Sequence, residues 1–351
     1  MKETQVAIEI GFDKVRASAC IGRDVFNVPI GPMPSPYSFP PIGVKTQSGY
    51  KFGEVAKLCA VTAPESTVFL SDYLSQNVIP RDAFISFLNV LKERITELYN
   101  LDIESIALIL PPYFKDLVQL RFLEGCITSI SKNIPVRNSH ISFSRSFLNV
   151  NVGQRIVFLD FRDNPSSISI ISRGSRAYDS LGSIKIDDFS LIDCENYIED
   201  KILSNYATEL FPDGEITTAW IQGDIASKIS QEAINQLMFE KNVKYEIPFT
   251  IGDLTITQSE FQDWLFSKID KVCERILEIM RELGMNLSEI SQIVMLGSVF
   301  QGRLIRERIE KFLNGYNQSM RYAYFSLPMD EWKVCQSVLI NNFNNRFALE
   351  L

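Results

Sequence analysis

The sequence predicts an α/β protein of two weakly similar lobes with a cleft between them. Two observations carry this: the order βββ–α–β–α occurs twice along the chain, and each copy passes from two-residue to helical periodicity at the same stage. In the first copy, Val6–Ile10 and Val15–Ile21 read as strands joined by a turn at Gly11-Phe12-Asp13-Lys14, and Gly22-Arg23-Asp24 leads to a third strand, Val25–Ile30. The stretch GPMPSPYSFPP (31–41) interrupts this meander, since each proline lacks an N–H for a ladder or a helix. Over 80–99, Phe84, Phe87, Leu88, Leu91, Ile95 and Leu98 recur at three- and four-residue steps, which predicts a helix. A strand at Ile106–Leu110 ends at Pro111-Pro112, and a second helix is expected from about Asp116 to Ser131.

The second copy repeats the order. Strands are expected at Ile156–Leu159, Ser167–Ser172 and Arg176–Ser180, then a helix from about Asp187 to Leu210. A smaller mixed segment covers 212–258. The long amphipathic helix 258–284 puts Phe261, Leu265, Ile269, Val272, Ile276 and Met280 on one side and stops at Gly284. A strand, Ile293–Leu296, passes through Gly297 to a helix near 302–313. The domain boundaries that follow are lobe I at 1–152, with an insertion at about 31–80 and completion by a C-terminal helix at 329–351, and lobe II at 153–328, with a smaller subdomain at about 212–258.

Composition narrows the function. A net charge of −8 disfavours nucleic acid as a partner, because phosphate neutralisation needs basic clusters. Apolar runs such as Ile106–Leu110 fall far short of a membrane span. The six scattered cysteines lack CxxC spacing, which points to buried free thiols and a cytoplasmic location. His140 is the only histidine, so zinc-ligating imidazole pairs do not exist, and a Ser-His-Asp triad would have to use it without a G-x-S-x-G elbow.

The stretch LDFRDNPSSISII (159–171) places Asp160 at the end of an apolar strand, before a tight turn into a second strand. A phosphate-binding hairpin sits in such a place, yet it normally carries glycines that let backbone amides approach phosphate oxygens. Here there are none.

Several segments resemble the ATPase domain of the DnaK-type 70-kDa heat-shock chaperones, in the actin and sugar-kinase superfamily. YKFGEVAKLCAVTAPESTVFLSDYL (50–74) is similar to that family's G-x-x-A-K…A-V-T-x-P…T-x-F segment. PPYF (111–114) resembles V-P-A-Y-F, and YDSLGSIKIDDF (178–189) resembles G-D-x-x-L-G-G-x-D-F. LSEISQIVMLGSVFQGRLIRERIEKFL (287–313) resembles the adenosine motif, and LPMDEW (327–332) a closing N-P-D-E-A segment. The matches are collinear over residues 6–345. They imply a two-lobed actin-like ATPase fold, each lobe a ribonuclease-H-like mixed sheet flanked by helices, with ATP or ADP and Mg²⁺ as the family's cofactors. The sequence given ends at Leu351, after the helix expected to close such a domain, so no peptide-binding domain is expected.

The departures from the family's pattern fall on its chemistry. The first phosphate hairpin, D-L-G-T-T in the family, is here Glu9-Ile10-Gly11-Phe12-Asp13; a carboxylate and one glycine persist and both hydroxyls are lost. The family's catalytic lysine aligns with Asp72, and its general-base glutamate with Ser142, which cannot take a proton usefully at neutral pH. The second hairpin, D-L-G-G-G-T-F-D, keeps Asp160 but has Phe161, Arg162, Asp163, Asn164, Pro165 and Ser166 before Ser167. The adenosine motif keeps Gly297, with Ser298 for the next glycine and Gln301 for the arginine that stacks on the base. The family's E-x-x-K-x-x-x-S helix has no in-register equivalent in GDIASKIS (223–230). Phosphoryl transfer depends on charge placement, so these losses together predict a pseudo-ATPase without a catalytic residue.

The candidate cofactor-binding residues are therefore Glu9, Gly11, Asp160, Arg162, Gly182, Gly297 and Asp330. Glu9, Asp160 and Asp330 either hold one Mg²⁺ through water or persist as turn and capping residues. Gly182 and Gly297 either admit phosphate or ribose or serve strand-to-helix turns. Arg162 either binds a phosphate or pairs with Asp163 or Asp13. Phe12, Phe143 and Phe161 are expected to fill space left by a nucleotide. The expected role is a protein-interaction or scaffold module for an unidentified protein, with no cofactor, no nucleic acid and no membrane. The alternative is a divergent ATP-binding protein with slow ATPase or kinase activity in the cleft.

Overall fold

A computed structural model of the chain describes residues 4–349 except 12–13, 32–38, 54, 57–58, 60–63, 71–78, 101, 137, 164, 188, 207–229, 231, 235, 239–243 and 247–254. Phe12, Asp13, Asp72 and Asn164, the segment 223–229, and most of the Pro-rich stretch and of the 212–258 subdomain lie outside the described residues. The protein is α/β, with mixed sheets and flanking helices.

Two compact units divide the chain. One comprises Met1–Arg155, Ser169–Ile184 and Met329–Leu351, the other Ile156–Ile168 and Lys185–Pro328. The first five-stranded sheet has the order β3-β2-β1-β7-β8. Its strands are β1 (Thr4–Ile10), β2 (Val15–Ile21), β3 (Asp24–Asn27), β7 (Ser105–Ile109) and β8 (Lys132–Asn133). β1 pairs antiparallel with β2 and parallel with β7, so it is central and every residue of it is buried. One face of β1 carries Val6, Ile8 and Ile10 into a core with Phe84, Phe87, Leu88, Leu91 and Ile95 of α1 (Arg81–Tyr99) and Leu123, Cys126 and Ile127 of α2 (Leu117–Thr128). Because side chains alternate along a strand, Gln5, Ala7 and Glu9 lie on the opposite face. There Asn342 of α7 (Lys333–Leu349) donates to Gln5 Oε1 at 2.8 Å, and α3 (Ser139–Phe147) packs on α7.

The sequence left 42–69 as an insertion, but it holds a three-stranded antiparallel sheet, β5-β4-β6, of β4 (Ile42–Thr46), β5 (Gly49–Phe52) and β6 (Thr67–Phe69). Phe39 and Phe52 tie this region to α1 through the Phe87 ring, with centroids 6.1 and 5.6 Å away.

A second five-stranded sheet has the order β11-β10-β9-β14-β15, from β9 (Arg155–Asp160), β10 (Ser166–Arg173), β11 (Tyr178–Ile186), β14 (Ile290–Leu296) and β15 (Arg321–Phe325). Three expected boundaries shift. The third strand ends at Asn27 rather than Ile30, and the strand expected at 176–180 runs on to Ile186. The helix expected from Asp187 starts later, as α4 (Leu191–Tyr206), where the Ser190 hydroxyl accepts from Asp193 N. The long helix α5 (Gln258–Glu282) buries the predicted face. It packs on α6 (Arg303–Asn314), where Arg308 Nε donates to Asp270 Oδ1 at 2.7 Å. A short pair, β12 (Lys244–Glu246) and β13 (Thr255–Thr257), completes the described strands. Among the described residues no helix is long and apolar enough to cross a membrane.

Candidate functional site

The first hairpin closes tightly. Gly11 N donates to Lys14 O at 3.0 Å, so the amide that a phosphate oxygen would approach already has a partner in the turn. Ladder register sets Glu9 directly opposite Arg16, which puts their side chains on one face. Arg16 is fully buried, with Nη1 3.7 Å from Glu9 Oε2 and Nε 3.4 Å from Glu331 Oε2. Lys14 Nζ reaches the same Glu331 oxygen at 2.5 Å. Asp330, in the short 3-10 turn Pro328–Trp332 ahead of α7, is buried and pairs with Lys333 Nζ at 2.7 Å. Among the described residues, three carboxylates (Glu9, Asp330, Glu331) thus stand among three cations (Lys14, Arg16, Lys333).

The second hairpin solves the same problem with one pair. Arg162 folds back onto Asp160 in a two-pronged contact, Nε to Oδ1 at 2.9 Å and Nη2 to Oδ2 at 2.7 Å, with Arg162 N adding a longer bond to Oδ1. Both side chains are more than nine-tenths buried. Of the partners expected for Arg162, Asp13 lies outside the described residues; the pair that is described is with Asp160, where a guanidinium two residues on lays both N–H groups along one carboxylate edge. Phe161 packs between Phe189 and Phe300, with centroids at 5.9 and 5.2 Å, and is a core residue of this hairpin. Phe143 is likewise fully buried, beside Phe147.

Gly297 has a packing role. Its φ of +125° is a glycine conformation, and a Cβ there would sit 2.7 Å from Phe161 O. The bonds Phe161 N to Leu296 O and Gly297 N to Phe325 O clamp the hairpin against the end of β14. Gln301, at the position of the family's stacking arginine, donates to Ser326 O at 2.6 Å. Gly182 lies inside β11 with no left-handed φ, so the strand-to-helix turn expected of it is not there. Ser142 lies in α3, where its carbonyl accepts from Asn341. His140 is fully buried, with Nδ1 2.6 Å from Ser169 Oγ.

All six cysteines are free thiols and five are buried. Burial, with nearby carboxylates adding to it, pushes the Cys194 and Cys273 thiols well up from the usual range.

Mg²⁺ needs oxygen ligands in near-ideal octahedral geometry and a site whose negative charge it can neutralise. Glu9, Asp160 and Asp330 each hold an internal cation instead, and among the described residues no group of three His, Cys, Asp or Glu side chains is placed to hold a metal. Sequence reasoning missed Lys14, Arg16, Glu331 and Lys333, although the Glu9–Arg16 pair was readable from hairpin register once the turn was placed.

No protein-family model matches the chain. Over 242 residues, 67% of its length, the chain is 23% identical to a protein named chaperone protein HscA from Buchnera aphidicola subsp. Schizaphis graminum (strain Sg). It is 21% identical over the same length to the protein of that name from Buchnera aphidicola subsp. Acyrthosiphon pisum (strain Tuc7). The chain is distantly Hsp70-like. These matches take in 37% and 38% of the relatives, so the Hsp70-like chain spans well under half the length of the curated proteins it matches.

Proposed function

We propose that the chain is an Hsp70-type nucleotide-binding fold, two-lobed and actin-like, that has given up ATP turnover and serves in the cytoplasm as a protein-interaction module. The observation that carries this reading is the internal pairing of each retained acid: Glu9 with Arg16, Asp160 with Arg162, Asp330 with Lys333. A buried guanidinium on a carboxylate does the electrostatic work of a bound cation, and displacing it would leave a charge uncompensated in low dielectric. The hairpins then hold their shape without a ligand. The cofactors ATP, ADP and Mg²⁺ have no role in this reading, and partner choice rests on protein surface.

Calorimetric titration and thermal shift with Mg–ATP and Mg–ADP test it. The expected result is no heat of binding and no stabilisation at millimolar nucleotide. A shift of several degrees that Asp160→Ala abolishes would overturn the pseudo-ATPase reading and favour a working nucleotide site.

A further inference from the structure

On a chain of net charge −8, Arg145 and Arg173 meet at one aromatic ring, with Arg176 in the adjoining turn. Tyr178 opens β11, and its ring lies 4.6 Å from Arg173 Cζ at the end of β10 and 5.9 Å from Arg145 Cζ on α3. Arg176 sits at the exposed tip of the four-residue turn closed by Gly174 N donating to Ala177 O. Arg145, Arg173 and Arg176 make no ion pair among the described residues. Asp179 follows Tyr178 in the strand and sets its carboxylate beside Gly174 in the same turn, yet it makes an ion pair with none of the three. Beside Arg173, the turn at 151–154 is bonded to the strand end (Gly153 N to Arg173 O, Arg173 N to Gln154 O) and presents Val152, 62% exposed.

The platform is held rigid from beneath. Asn138 caps α3 by accepting from His140 N and Ile141 N, and its Nδ2 donates to Ser180 Oγ on β11. The buried His140–Ser169 bond ties α3 to β10. Arg145 and Arg173 are therefore brought to one aromatic ring by elements already joined, so little side-chain freedom remains to be lost on binding. Arginine and tyrosine are the residue types that carry most energy at protein interfaces, and arginine forks match carboxylates two prongs at a time.

We infer that Arg145, Arg173, Arg176, Tyr178 and Val152 form a docking surface for a protein segment bearing paired carboxylates next to an aliphatic residue. Charge complementarity fixes the sign of the partner, Val152 supplies an apolar contact that a bare anion would not use, and the stacked guanidiniums supply the fork geometry. The surface stands apart from the nucleotide question and would serve with or without an active ATPase.

The test is fluorescence anisotropy with a labelled Glu/Asp-rich peptide containing leucine, measured at physiological salt. Comparison probes are an all-Glu peptide of equal charge and a single-stranded oligonucleotide. The expected result is saturable binding of the leucine-bearing peptide, tighter than the all-Glu peptide. Arg145→Ala/Arg176→Ala should weaken it at least tenfold, with the unfolding temperature unchanged because both side chains are exposed. Val152→Ser should remove the preference over the all-Glu peptide. No binding, equal binding by wild type and the double variant, or tighter binding of the oligonucleotide would each overturn the inference, the last by assigning the surface to nucleic acid.

Discussion

Replacing Arg162 by methionine keeps most of the side-chain volume and removes the guanidinium that two prongs hold on Asp160, at 2.9 and 2.7 Å. The carboxylate is then left more than nine-tenths buried with its main charge partner gone. Breaking a buried pair from one side costs about 3–5 kcal/mol, whereas replacing both members by apolar groups of similar volume is often close to neutral. Arg162→Met should therefore destabilise by about 3 kcal/mol, and Arg162→Met with Asp160→Leu should recover most of that loss. In thermal unfolding of a unit this size, about 3 kcal/mol corresponds to a fall of roughly 6–12 °C. A double-mutant cycle in urea isolates the coupling, since two residues in contact are not additive. A single-variant loss below about 1 kcal/mol, the worth of an exposed pair, would refute the view that this contact stands in for a bound cation. A double variant as damaged as the two singles combined would refute it equally.

Four further outcomes follow from the geometry. Gly297→Ala, which forces a Cβ to 2.7 Å from Phe161 O at a φ of +125°, should lower stability by at least about 2 kcal/mol in urea titration. Gly153→Ala, at a φ of +85° with open space around it, should cost about 1–2 kcal/mol from backbone strain alone. Burial, with Glu310 and Cys273 adding to it, pushes the Tyr322 phenol up to about 12 from the ordinary 10.0. Between those values the unfolded chain releases a proton that the native protein retains. Stability should therefore fall as pH rises through the window, and phenolate absorbance of Tyr322→Phe should lack one late-titrating tyrosine. Iodoacetamide at neutral pH should modify half-buried Cys59 first and reach Cys194 and Cys273 only after unfolding, as peptide mapping would show.

Long periodic elements were legible in the sequence, and short or polar ones were not. The face Phe84, Phe87, Leu88, Leu91, Ile95 gave α1 almost to the residue, and the equivalent stripe gave α5. α3 escaped because SHISFSRSF is nine residues rich in serine, a weak helix former. Its start is fixed by Asn138 as a cap and its place by burial of His140 and Phe143. The strands IGVKT, GYKF and TVF were hidden by their length of three to five residues, too short for alternation to register. At the candidate site, the acids were visible as strand-end residues. Their partners depended on where long side chains turn, which periodicity does not encode: Arg16 reaches two carboxylates, one of them 315 positions away in sequence.

That long-range reach of Arg16 has a consequence for the routes by which such a protein can change. Glu9 lies across the ladder from Arg16, while Glu331 arrives from the far end of the sequence, so no single substitution can undo the arrangement cleanly. Any route that opens this hairpin would begin with loss of Arg16 and pass through an intermediate with a surplus of buried negative charge. For a fold held by only about 5–15 kcal/mol, that intermediate sits near the edge of viability. The internal cation therefore acts as a ratchet in sequence space: with Arg16 set between Glu9 and Glu331, every route that removes it alone runs uphill.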